Sequence, residues 1–338
     1  MRRWVKLVLQ LALSAALIGV LLWQIDVSRT AELVASSDPT ELSIAFVIYV
    51  GTTWLLAYRW QLLLASKGLH EPLGWLTKVY FVGYAAGQVL PTSLGGDAVR
   101  IVEHVRRRPR ARAEVTGAVL MERVLGAAGT ILLVGVGLVI AIGRFDGIGV
   151  FVWLEVGSIA FVAAGLVIVF SKRVRLFLEA RVFPLGRRIR IERALASVYT
   201  ALHGYRSKPG TIAAVLAVSI VTQLIRIASI WLCGEAVGVD LSPLAYVVLG
   251  PLLFLVMLVP FTVNGIGARE AFFLAFMTRF DVTADEAVAT GLLFYAVTIA
   301  AALPGGAILV WRSIRPGAGG PRDDQDEAVA VNGVGERA

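Results

Sequence analysis

The sequence has a single cysteine, Cys233, and only three histidines, His70, His104 and His203, in 338 residues. One cysteine excludes a disulfide framework and any cysteine-based metal centre. The histidines sit in separate polar stretches without ligand spacing, so they read as surface residues, and no metal or other cofactor is expected. Charge is scarce as well: 17% of residues are charged, against roughly 25% in an average soluble domain. No nucleotide-binding glycine loop or nucleophile–base pair is legible, and the chain is not expected to be an enzyme. The net charge of +8 would ordinarily suggest nucleic acid. Here the arginines gather in short loops beside apolar runs, a pattern that reports membrane orientation and attraction to anionic lipid, and no nucleic acid is implied.

What is abundant is apolar surface, with 57% hydrophobic residues. Long runs lie at about 4–25, 42–66, 114–143, 148–170, 211–237 and 286–311. Each is long enough to cross a hydrocarbon core of ~30 Å. Two shorter, broken runs occupy about 73–108 and 241–280. The expected fold is an all-α polytopic membrane bundle with about six full spans and two re-entrant helical hairpins. The first run follows "MRRWVK" but is longer than a signal-peptide core and lacks a small-x-small cleavage site, so it is expected to remain as a helix.

Basic residues set the orientation. Arg2, Arg3 and Lys6, the cluster "RRRPRAR" at 106–112, ten basic residues in 171–208, and Arg312 and Arg315 should all be cytoplasmic. Both termini are therefore expected inside. The stretch 26–41 holds one Arg and four acids, and should face outward. If 73–90 crossed fully, the arginine cluster at 106–112 would lie outside. The segment must enter from the cytoplasm and turn back. By the same bookkeeping 241–280 enters and returns on the outer side.

The two breaks align. "VLPTSLGGDAVR" at 89–100 and "LVPFTVNGIGARE" at 258–270 share Pro-x4-Gly-x3-Arg: Pro91, Gly96, Arg100 and Pro260, Gly265, Arg269. Opposed hairpins with matching breaks imply an inverted-topology repeat, an architecture common in transporters. Broken backbone at membrane depth persists only inside protein or against a wet cavity. Gly95, Gly96, Gly265 and Gly267 are expected to permit tight turns and to bare N–H groups. Half-helices starting near Asp97 and Gly267 would point positive ends into the membrane, where they and the arginines suit an anion.

Other polar groups fall at membrane depth: Glu122, Arg123, Arg226, Gln223, Glu155 and Glu270. A central charge costs ~2.5–3.5 kcal/mol even on lenient scales, so it needs a partner or a cavity. Arg226, near the middle of its run, is the strongest functional candidate. Arg123 could instead snorkel, Glu155 reads as structural, and Arg59 and Lys78 read as snorkelling anchors. The basic loop 171–208 suits either an amphipathic helical hairpin on anionic lipid or a simple topogenic loop, with a second helix at about 189–203. The tail 316–338 lacks periodicity and is expected to be disordered.

Three motifs in order, "LPTSLGGDAVRIVEHVRR", "LMERVLG" and "VPFTVNGIGAREAFFLAF", resemble the lysylphosphatidylglycerol synthase transmembrane-region family, a flippase-like domain. The likeness covers roughly 5–315, read as one transmembrane domain. It implies a bacterial plasma-membrane protein that moves a phosphate-bearing, anionic or aminoacylated lipid between leaflets. By that likeness Gly95, Gly96, Asp97, Arg100, Glu122, Arg123, Asn264, Gly265, Gly267, Arg269 and Glu270 would line the path. Full-length relatives carry a soluble aminoacyltransferase domain, whereas about twenty residues follow the membrane region here, so synthase activity is not expected. Two other readings remain open: a secondary transporter of a small anion, and a non-transporting partner of a cell-envelope enzyme. The partners expected are membrane lipids, anionic phospholipid above all, with a homo-oligomer or an envelope-biosynthesis enzyme as further candidates.

Overall fold

The computed structural model describes residues 15–89, 95–141, 192–258, 265 and 267–314, with isolated positions between 153 and 177. Among the described residues every regular element is helical. In chain order these are α1 (Ala15–Gln24), α2 (Val27–Ala35), α3 (Pro39–Ala65), α4 (Leu73–Val89), α5 (Gly95–Arg107) and α6 (Arg112–Ala141). They continue as α7 (Glu192–His203), α8 (Pro209–Glu235), α9 (Pro243–Leu258), α10 (Ala268–Met277) and α11 (Ala284–Ile314).

Four helices are long and apolar enough to cross a membrane: α3, α8, α11, and residues Pro109–Gly137, which include most of α6. At 1.5 Å per residue, the 27 residues of α3 or α8 reach about 40 Å. Both helices start on a proline at the first helical position, where its missing N–H costs nothing. Asp38 caps α3 by accepting from the Thr40 N–H at 2.7 Å, and that bond holds its carboxyl below the usual range. The run at 148–170, with Glu155, lies largely outside the described residues. So do the first part of the run at 4–25, most of the loop 171–208 and the tail. The helix expected near 189–203 is present as α7. The acidic stretch 26–41, read as a loop, contains α2, capped by Asp26 accepting from Ser28 N and Arg29 N.

The helices recur at a spacing of 170 residues. Helix α3 spans 39–65 and α8 spans 209–235; α4 begins at 73 and α9 at 243. Even the turns match. After α3, Gly68 donates to Ala65 O and Leu69 to Leu64 O; after α8, Gly238 donates to Glu235 O and Val239 to Gly234 O. Gly68 and Gly238 have φ of 79° and 82°, a region that only glycine enters without strain.

Helices α3 and α8 run antiparallel. Asp38 N donates to Ala236 O, Ser229 Oγ to Ala45 O, Arg226 Nε to Thr52 Oγ1, and Arg59 Nη1 to Ser219 Oγ, so numbers rise on one helix as they fall on the other. Two apolar cores lie along this pair. One gathers Tyr49, Ile230, Leu249, Phe273 and Phe294; the other gathers Trp60, Leu64, Leu76, Met121 and Tyr205. The broken pairs α4/α5 and α9/α10 pack into these cores, and α11 closes against α4.

Candidate functional site

The first break falls between Val89 and Gly95, and the second between Leu258 and Ala268. Pro91, Pro260 and Asn264 lie in segments outside the described residues. The two pairs of glycines act differently. Gly265 and Gly267 have φ of 75° and 82° and supply the turn, as expected. Gly95 and Gly96 already belong to α5, and the role of Gly96 is close approach rather than turning. A Cβ on Gly83 would lie 2.8 Å from Gly96 O and 2.7 Å from Arg100 Cγ, and one on Gly96 would collide with the Gly83 carbonyl. The limbs of this hairpin touch backbone to backbone.

That contact brings Arg100 into a buried ionic network. Arg100 Nη1 donates to Glu122 Oε2 at 3.1 Å and Nη2 to Asp97 Oδ1 at 2.7 Å. Its guanidinium stacks over the rings of Tyr80 and Trp60, with centroids 3.9 and 5.0 Å away. Glu122 also accepts from Tyr80 and, at 2.6 Å, from Arg59 Nη2; Arg123 pairs with Asp97. Five elements, α3 to α6 and α8, meet here through these groups and Ser219. Arg59 is therefore no snorkelling anchor. Its side chain is 11% exposed because Glu122, itself buried, needs a counter-charge that the lipid cannot provide. Arg123, at 32% exposure, lies at the rim. Lys78 is exposed, in keeping with an anchor.

The second hairpin holds a smaller pair. Arg269 and Glu270 are both buried and salt-bridged to each other, and Arg269 stacks over Tyr295 at 4.0 Å. Glu270 Oε2 accepts the Gly267 N–H at 2.8 Å. Each half-helix thus carries its own carboxylate in the first turn, Asp97 or Glu270. An anion arriving at either end meets a site already balanced by the protein.

Arg226 differs. Its Nε reaches Thr52 Oγ1 at 3.3 Å and its guanidinium lies 5.2 Å from the Tyr49 centroid, with no carboxylate at ion-pair distance among the described residues. Gln223, one turn earlier, donates to Thr130 Oγ1 at 2.6 Å.

Sequence reasoning missed several groups. Tyr49, Tyr80, Tyr84 and Tyr295 were legible only as apolar positions, since a tyrosine in a span looks like core until its neighbours are known. Glu71, in the short connection before α4, is buried, 3.0 Å from Arg108 Nε and 3.4 Å from Arg107 Nε. His104, read as a surface residue, has no exposed area: it sits edge-on to Trp60 and Trp75 with its Nε2 3.8 Å from Glu71. The fold of α5 back onto α3 and α4 buries it. His70, by contrast, is exposed.

Among the described residues no cluster of three or more His, Cys, Asp or Glu side chains could hold a metal. The family described as "Lysylphosphatidylglycerol synthase TM region" matches residues 7–306. The chain is also similar to a curated protein of Haloferax volcanii named Glycosyltransferase AglD: 26% identical over 345 residues, covering 90% of this chain and 54% of that protein. It spans about half the length of that relative.

Proposed function

Because the chain belongs to the lysylphosphatidylglycerol synthase TM region family, we propose that it translocates a phosphate-bearing lipid between the leaflets of the plasma membrane. One observation carries this reading. Two broken helical pairs, whose first limbs begin 170 residues apart at 73 and 243, each bury an arginine with its carboxylate at the start of the second limb. They flank the antiparallel helices α3 and α8. On this reading the two halves form an inverted-topology repeat, with the path between them and both termini cytoplasmic. Residues 1–315 act as one flippase-like domain, and the chain serves as a translocator rather than an enzyme. The transferase named in the relative is a protein about half of which lies outside the match.

The salt bridges have a part in the cycle. A phosphate crossing a hydrocarbon layer needs cations along its route, but unpaired arginines there would be costly in the empty protein. Asp97, Glu122 and Glu270 balance the guanidinium charges in the empty protein, and a passing headgroup phosphate competes with them for the arginine N–H donors.

The test is reconstitution into vesicles containing phosphatidylglycerol with a fluorescent acyl chain, quenched from outside by dithionite. The wild-type protein should accelerate loss of the inner-leaflet signal, and Arg269→Ala should abolish the acceleration while inserting normally. Absence of lipid movement, with uptake of a small anion driven by a pH gradient, would replace this reading by a secondary transporter.

A further inference from the structure

Among the described residues of the spans, Arg59, Arg100, Arg123 and Arg269 each have a carboxylate partner, and Arg226 has none. Arg226 lies nine residues from the end of α8, about 14 Å of helix, so it cannot place its charge in water by reaching along its own helix alone. A guanidinium carries five N–H donors, and Thr52 takes one. Beside it, Tyr49 and Tyr84 join their hydroxyls at 2.8 Å. A hydroxyl pair uses one of its two protons internally and keeps the other for an outside acceptor. Arg226 faces the ring of Tyr49, whose hydroxyl meets that of Tyr84. The Arg269 charge is already answered by Glu270. One positive charge is left over, ringed by neutral donors.

We infer that Arg226, Tyr49 and Tyr84 form a mid-membrane binding site for a singly charged phosphodiester. The inference rests on the translocation reading for the route by which the ligand arrives, and adds where the headgroup is held and which charge state is selected. Two phosphate oxygens take the Nη groups of Arg226 side by side, the geometry guanidinium favours. One of these oxygens also accepts the spare tyrosine proton through its second lone pair. A phosphomonoester brings a second negative charge, and among the described residues Arg269 is already paired with Glu270. Arg226 then serves as the resting point between leaflets.

Binding is measured by thermal stabilisation of the purified full chain in detergent. The probes are dioctanoyl phosphatidylglycerol, glycerophosphoglycerol without chains, dioctanoyl phosphatidic acid and octanoate. Dioctanoyl phosphatidylglycerol should stabilise the wild-type protein best. Arg226→Gln should weaken that binding at least ~10-fold and Tyr84→Phe about 5-fold, the range for losing a charged and a neutral hydrogen bond. Arg226→Lys, which keeps the charge but not the paired donors, should fall between. Stabilisation by glycerophosphoglycerol that also depends on Arg226 would assign the site to the bare phosphodiester; dependence on the acylated form alone would assign it to the lipid headgroup. Equal binding by wild type and Arg226→Gln, equal response to phosphatidic acid or octanoate, or no stabilisation by any probe would overturn the inference. The vesicle assay separates the two ideas. Translocation unaffected by Arg226→Gln leaves the function standing and removes the site. Arg226-dependent binding without translocation keeps the site and removes the function.

Discussion

Arg59 on α3 and Glu122 on α6 meet with Nη2 2.6 Å from Oε1, in a place where neither is more than 11% exposed. Breaking a buried pair by removing one partner strands the other charge, at a cost of about 3–5 kcal/mol. Glu122 answers both Arg59 and Arg100, so Glu122→Gln should fall in or above that range. Thermal melting in detergent checks it. Glu103→Gln provides the contrast, because its bond to Arg312 at 2.9 Å lies where the two side chains are 22% and 34% exposed. Such pairs contribute about 0–1 kcal/mol.

Gly83→Ala and Gly96→Ala should both lower the melting temperature and the folded yield, because the new methyl meets backbone that cannot step aside. Gly135→Ala, with nothing within 4 Å of the added carbon, should leave stability unchanged or raise it by up to about 1 kcal/mol. A similar gain at all three positions would show that helix propensity, not limb contact, governs the first pair.

Gly267→Ala forces a side chain into φ 82°, at a cost of roughly 1–2 kcal/mol. The same turn presents the N–H that Glu270 accepts, so lipid movement should fall further than the stability change alone explains. Parallel melting and vesicle assays on this variant separate the two effects. Gly238→Ala, in the turn between α8 and α9 and away from either break, should lose stability without that extra loss of transport.

Opposed hairpins are testable without any lipid substrate. With Cys233 replaced by Ala, single cysteines in place of Ser93 and Thr262 should react with a membrane-impermeant thiol reagent from the cytoplasmic and the outer side respectively. Labelling of both from one side would refute the inverted repeat.

The sequence by itself determined the membrane class, the four long helices to within about three residues, and the places where two further helices break. Those follow from apolar run length, prolines and glycines, which act locally and leave a mark in one dimension. It also marked Arg100, Glu122, Arg226 and Arg269, because a charge in a long apolar run is conspicuous. What it could not decide was which of them are answered. Arg59 read as an anchor and His104 as a surface residue, since partners 63 residues away, or rings from two other helices, leave no trace near either position. Packing decided that Arg100 is balanced and that Arg226 meets no carboxylate among the described residues, although the two look alike in sequence. Electrostatic balance belongs to a neighbourhood, and only the antiparallel contact of α3 with α8 and the folding back of α5 create those neighbourhoods.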